Sequence, residues 1–191
     1  MVLSTAYLPP IEWYYHLATK ENSKIEGYEN FEKQSYRNRT TITTPNGVLA
    51  LVIPIQSTAN KAIQATKISY AQKWQHQHWK AIQTSYKNSP FFEYYEQELG
   101  VFYQQEYVYL WEYNMALIEW INKQIRFSTS IISTLEYENS PTLIHPKIAT
   151  NFAIAPYYQV FQDKIGFQSQ VSILDLLCSR GNHTMAYLKG L

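Results

Sequence analysis

Arg37-Asn38-Arg39, with Lys33 four residues upstream, is the densest set of chemistry-bearing side chains in the sequence. A guanidinium is a planar fork that binds phosphate or carboxylate through paired hydrogen bonds. Two of them beside an amide and an ammonium suit a small anion. On an extended segment neighbouring side chains point to opposite faces, so Arg37 and Arg39 share one side and Asn38 takes the other. The same residues also suit an edge strand guarded by charge. His78 lies in a stripe with Trp74, Ile82 and Tyr86. Its imidazole suits a general base near neutral pH, and equally a satisfied core residue. His76 cannot share a metal with it on a helix, because positions two apart diverge by about 200 degrees. Glu26, Glu29 and Glu32 flank the cationic stretch and suit either acid–base work or ion pairing. Asp175 reads as a helix-start residue rather than a catalyst.

Other standard chemistry is missing from the pattern. Gly-rich phosphate loops, CxxC pairs, HExxH and GxSxG do not occur, which sets aside the usual nucleotide hydrolases, zinc proteases and esterases. The one cysteine, Cys178, sits among leucines and reads as a buried, inert thiol. No metal site and no cofactor follow from these residues.

The elements that must hold the candidates read as follows. Ser4 to Leu8 is a short strand broken by Pro9-Pro10, and proline at a helix start leads into a helix over Ile11 to Thr19. Ile25 to Tyr28 is a weak strand. Thr40 to Thr44 and Val48 to Ile55 form a hairpin around Pro45-Asn46-Gly47, with Asn-Gly supplying positive φ angles. The run Val48 to Ile53 is apolar at every position, the mark of a strand buried between two layers. Ala65 to Ser69 is a further strand candidate. Three helices then follow from the spacing of apolar residues: one carrying Trp74, His78, Ile82 and Tyr86, one from Phe91 to about Tyr103, and one from Leu110 to Ile125. Ser130 to Leu135 and Tyr157 to Phe161 are strand candidates. Ser172 caps a last helix that Gly181 stops. Strands first and last around a helical middle segment give an α/β or α+β fold, a single mixed-sheet domain over residues 1–191.

Composition bounds the function classes. The 191 residues are 46% hydrophobic and only 16% charged, with 17 Tyr, 8 Phe and 5 Trp, enough for a proper core. The aromatics suit packing first, and sugar stacking or a homo-oligomer face second. A formal charge of +1, spread along the chain, argues against binding bulk nucleic acid. No apolar run approaches the ~18 residues of a membrane span. With no signal-peptide pattern either, the expected location is cytoplasmic.

The opening YLPPIEWYYHL, the stretch KQSYRNRTTITTPNGVLALVIPI, the block KWQHQHWKAIQTSYKNSPFFEYY and the closing FQSQVSILDLL together resemble the WbqC-like family over nearly the whole chain. The resemblance implies a role in surface-polysaccharide or O-antigen assembly, with transfer of an acyl or aminoacyl group to an activated sugar. It implies ligand-binding roles for Arg37, Asn38, Arg39 and Tyr86, to which Lys33 adds a third cation by its position upstream, and a catalytic role for His78. The family's first strand commonly ends in a Gln-Pro-type turn, whereas Ala6-Tyr7-Leu8-Pro9 stands here, so any ligand contact made through that glutamine is lost or moved in this chain. The partner expected is a small anionic or sugar-linked ligand. The alternative is a non-catalytic glycan- or protein-binding accessory module.

Overall fold

The computed structural model describes residues 1–57, 59–127, 132–134, 136–138, 144–148 and 150–191. Strand β1 (Val2–Ser4), helix α1 (Ile11–Thr19) and strand β2 (Lys24–Glu26) form a βαβ unit. Its strands pair in parallel, Leu3 opposite Ile25 and Ser4 opposite Glu26. The next described strand of this sheet, β5 (Ile132–Ser133), adds in parallel on the far side of β2. Pro10 is the N-cap residue of α1, so the helix starts where the double proline requires. The strand expected over Ser4 to Leu8 lies earlier, at Val2–Ser4, and shares only Ser4 with that reading. The chain leaves β1 at Ser4, and the Tyr7 N–H bonds the Tyr36 carbonyl instead of a neighbouring strand. Leu8 follows with a φ of +40°, held there by two hydroxyls on its carbonyl, from Thr40 at 2.8 Å and Ser172 at 3.0 Å.

Strands β3 (Arg39–Thr44) and β4 (Gly47–Val52) make a separate two-stranded antiparallel sheet. The expected hairpin is present, but Gly47 alone takes the positive φ, at +113°, and Asn46 does not. The reading of β4 as a doubly buried strand is overturned. Leu51 and Ile53 turn inward and are buried, while Val48 and Val52 are 48% and 41% exposed. The outward face of β3 is covered, with Thr41 and Thr43 bonded to Gln170 and Asp175 of the C-terminal segment, but that cover stops before β4.

The helical middle is α2 (Trp74–Tyr86), α3 (Phe92–Val101) and α4 (Leu110–Gln124). Their buried faces fall where the periodicity puts them, with Trp74, His78, Ile82 and Tyr86 inward on α2. Gly100 is tolerated in α3 because the Trp79 ring lies where a β-carbon would stand, 3.1 Å away. Two strand readings fail. Residues 65–69 contain the end of a 3-10 turn (Ile63–Ala65) and isolated bridges, Lys67 to Tyr109 and Ile68 to Ile55. Residues 157–161 form no strand; the Tyr157 and Gln159 side chains bond Asp175 of α6 and tie the segment down there. Of the strand expected over 130–135, Ser130, Ile131 and Leu135 lie outside the described residues.

The chain closes with helices, not strands: α5 (Gln162–Ile165), α6 (Ile173–Arg180) and α7 (Thr184–Lys189), the last packed on α1. Ser172 caps α6 by accepting the Leu174 N–H at 3.1 Å. Gly181 ends it at a φ of +56°, with Phe91 pressed so close that a β-carbon would meet its ring at 2.7 Å. The largest fully buried side chains include Trp74, Tyr7, Tyr14, Tyr86, Tyr113 and Phe92. Much of the aromatic excess is therefore core, where each large side chain contributes about 1.5–3 kcal/mol by burial. The fold is a mixed α/β architecture around one hydrophobic cluster.

Candidate functional site

Parallel strands tend to deliver ligand-binding groups at their carboxyl ends. Here Ser4 ends β1, Glu26 ends β2, and Thr134 follows β5. Glu26 is a strut. Its carboxylate accepts the Tyr28 N–H, the Thr134 hydroxyl and the Glu138 N–H, each at 2.8 Å, so both oxygens are used. The chain after β2 then loops through Glu29 and Glu32 to Arg37, held on its outer side by Phe31 N–H to the Lys61 carbonyl and Ile63 N–H to the Glu29 carbonyl.

Arg37 is the hub of this loop. Its guanidinium donates to buried Glu29, to the Ser4 hydroxyl at 3.0 Å and to Glu32 at 3.2 Å. Ser4 in turn donates to Glu29 at 2.9 Å. Asn114 of α4 fixes the Arg37 backbone through its carbonyl at 2.8 Å. The cluster is not saturated. Glu29 Oε1 and Arg37 Nε are buried with no hydrogen-bond partner. Burial pushes the Glu29 carboxyl above its ordinary range, against the opposite pull of Arg37 and Ser4.

A cleft of about 650 Å³ opens over this cluster, lined by Arg37, Glu29, Glu32, Lys33, Lys61 and the aromatics Tyr28, Phe31 and Tyr137. Phe31, Lys33 and Lys61 also line an adjoining pocket of about 310 Å³ with Gln56, Ser57 and Thr66. Lys33 and Lys61 are exposed and take part in none of the ion pairs among the described residues. Tyr28 and Tyr137 stand at the rim, each more than half exposed. Two free ammonium groups, a fixed guanidinium, an accessible carboxylate at Glu32 and two flat rings suit a ligand with an anionic end and a sugar-like body.

Of the candidates named from sequence, the structure brings Lys33 and Arg37 together here. The others lie elsewhere. Asn38 turns the opposite way, as strand alternation requires, and donates to the Ile53 carbonyl at 2.8 Å. Arg39 opens β3 with its Nε buried and unpartnered, outside the cleft lining. Tyr86 is fully buried in the core. His78 is buried on α2, its Nδ1 3.0 Å from the Tyr7 hydroxyl and its ring near the Val52 backbone. Tyr7 is bonded onward to Tyr103 at 2.9 Å. Burial lowers the His78 pKa from 6.5 to about 4, against a small rise from Val52. The imidazole is thus neutral near pH 7. His76 is exposed while His78 is buried, so the two diverge. Among the described residues no group of three His, Cys, Asp or Glu side chains is placed to hold a metal ion.

Lys61 and Tyr137 were not legible as site residues, since nothing near them in sequence marks chemistry and only the fold carries them to Arg37. Asp175, read as a helix-start residue, does sit in the first turn of α6. It also binds three donors, Thr43 at 2.8 Å, Tyr157 at 2.7 Å and Gln159 at 2.9 Å, clasping β3 to the C-terminal segment. Cys178 is fully buried, and burial holds its thiol well above the usual range.

The domain is a mixed α/β architecture with an aromatic-rimmed cleft over Arg37 beyond the carboxyl ends of its parallel strands. The chain belongs to the WbqC-like protein family, whose match covers residues 5–149. It is also similar to the uncharacterised protein Rv1507c of Mycobacterium tuberculosis, 22% identical over 223 aligned residues that span 98% of this chain and 96% of that one. No solved structure matches it. No described helix is long and apolar enough to cross a membrane.

Proposed function

We propose that this chain is a transferase that moves an acyl or aminoacyl group onto an activated sugar during surface-polysaccharide assembly, and that the cleft over Arg37 binds the sugar. The observation that carries the reading is the convergence of Lys33, Lys61 and Arg37 with Glu32 and two exposed tyrosines around one void of about 650 Å³. In this reading Lys33 and Lys61 hold the phosphate of the activated sugar, and Tyr28 and Tyr137 face its ring. Glu32, half-exposed beside Arg37, takes the proton from the sugar amine or hydroxyl as that atom bonds to the acyl carbon. The donor's leaving group departs with the bonding electrons, and Glu32 returns the proton to it. Glu29 and Ser4 position Arg37 and do not touch the substrate. His78, buried and bonded to Tyr7 outside the cleft, has no part in the step.

Nucleotide-sugars stabilise the folded chain in a thermal-shift titration, by about 2.7 kcal/mol at a hundredfold excess over Kd. The Lys33→Ala, Lys61→Ala double variant loses that shift. Glu32→Gln keeps binding and loses transfer when acyl and aminoacyl donors are supplied. No shift with any nucleotide-sugar would sink the reading. The commitment of Arg37 to Glu29, Glu32 and Ser4 favours a second reading, a glycan-binding module, and binding without turnover by the native chain would establish it.

A further inference from the structure

Among the described residues the outer edge of β4 pairs with no further strand. Natural sheets guard such edges with lysine, proline, bulges or a covering element, and Gly47 to Val52 carries none of those residues. The register fixes which backbone groups are free. The Ile53 N–H bonds the Asn38 carbonyl at 2.8 Å, so residues 38 and 53 are a hydrogen-bonded pair. Alternation then makes Thr40–Leu51 and Ile42–Leu49 bonded pairs, and turns the N–H and C=O groups of Val48, Ala50 and Val52 away from β3. On the opposite edge the same alternation points the Thr41 carbonyl outward, where it accepts the Ser172 N–H at 2.9 Å. Among the described residues no such partner meets Val48 or Ala50. The Val52 backbone lies near the His78 ring.

The sequence of this edge is its own mirror. Val48-Leu49-Ala50-Leu51-Val52 reads the same in both directions. A two-fold axis beside Ala50 therefore sets Val48 against Val52 of the partner subunit and Ala50 against Ala50 of the partner subunit, like against like. Ala50 is also a residue whose backbone bonds point outward, so the axis falls on a hydrogen-bonded pair, and no charges are opposed along the seam. Beside the hairpin end a groove of about 670 Å³, lined by Val48, Leu49 and the Gln77, Lys80 and Ala81 side of α2, gives the second copy room to approach. We infer that two copies of this chain associate through antiparallel β4–β4 pairing, centred on Ala50, into one continuous four-stranded sheet.

Cysteine substitution tests both the association and its register, because the native Cys178 is fully buried. Facing residues of a hydrogen-bonded antiparallel pair have Cα atoms about 5.5 Å apart, inside the ~4.4–6.8 Å range of a disulfide. Ala50→Cys cross-links to a covalent dimer under mild oxidation. Val48→Cys, whose two copies are offset by more than about 13 Å along the strands, does not. In sedimentation velocity the native chain runs at twice its 22.4 kDa mass, and Val48→Lys runs as a monomer with an unchanged far-ultraviolet spectrum. A native chain that stays monomeric across the concentration series overturns the inference and leaves the edge to a different partner. A dimer in which Ala50→Cys fails to cross-link, or Val48→Cys cross-links equally, overturns the register and the interface with it.

Discussion

Two buried polar clusters in this domain invite comparison: His78 with Tyr7 and Tyr103, and Arg37 with Glu29 and Ser4. Both sit at residues whose types suggest chemistry. The first is neutral. His78 has the Tyr7 hydroxyl at Nδ1, and aromatic rings enclose it, Trp74 edge-on at 5.2 Å and Tyr7 stacked at 5.7 Å. The second pairs a guanidinium with a carboxyl, keeps Glu29 Oε1 and Arg37 Nε without partners, and opens to a cleft. Burial acts on both, but with opposite consequences. It removes the charge from the imidazole, while in the loop it is resisted by a fixed counter-charge. A chemically capable side chain becomes available to a ligand only where the fold leaves part of its demand unmet.

The largest effect expected from breaking this contrast is at Arg37. Its side chain and that of Glu29 are about 10% and 4% exposed, so Arg37→Ala strands a buried carboxylate. Such truncations cost about 3–5 kcal/mol. Urea unfolding measures it, and a paired Arg37→Met, Glu29→Leu variant recovers most of the loss because no charge is left to desolvate. A cost for Arg37→Ala under about 1 kcal/mol, the range of an exposed pair, would place the pair effectively in solvent and erase the distinction.

The next effect is pH dependence. The folded-state pKa of His78 is lowered from 6.5 to about 4. The unfolded chain therefore binds the proton first, and the stability this group contributes is complete above pH 6.5 and is lost as pH falls toward 4. The difference corresponds to about 3 kcal/mol across that window. Glu29 and Asp175 act in the other direction. Burial raises both, so the folded state holds their protons more tightly, and each adds stability as pH falls through its raised value toward the unfolded one. Subtracting the stability–pH curve of His78→Gln from that of the native chain isolates the imidazole. A flat difference between pH 7 and 4.5 would mean that His78 is solvated.

How much of this was legible follows the same division. Helices α1, α2, α4 and α6 fall where periodicity and caps put them, because a buried stripe and a capping serine are local facts. The apolar run of β4 misled, since alternating valines look the same whether a second layer covers them or nothing does, and only Thr41 and Thr43 of β3 met the C-terminal segment. Lys33 and Arg37 were legible as a pair because four residues separate them. Lys61 was not, since the backbone bonds from Phe31 and Ile63 that bring its segment to the loop join distant stretches. His78 carried both readings in sequence, and its environment distinguishes them.

A smaller perturbation sharpens the neutral side. Tyr103→Phe removes one hydrogen bond from the Tyr7 hydroxyl and leaves the bond to His78. The expected loss is about 1 kcal/mol, the net value of one such bond, read from the urea midpoint at pH 7. A loss of several kcal/mol would show that the tyrosine pair and the imidazole act as a single network.

The smallest effect on stability is expected at the rim of the cleft, and it is the most discriminating. Lys33 and Lys61 are exposed and outside the ion pairs of the described residues, so nothing in the fold depends on their charge. Lys33→Ala and Lys61→Ala each shift the unfolding free energy by no more than about 0.5 kcal/mol. Their effect belongs to the ligand. If the cleft takes an anion, each single substitution weakens binding of a nucleotide-sugar about tenfold, or about 1.4 kcal/mol, and the loss shrinks as salt screens the exposed ammonium. Isothermal titration at two ionic strengths reads both numbers. Unchanged affinity with unchanged stability would make the two lysines an ordinary solvated surface, and the open cluster beneath them as structural as the closed one around His78.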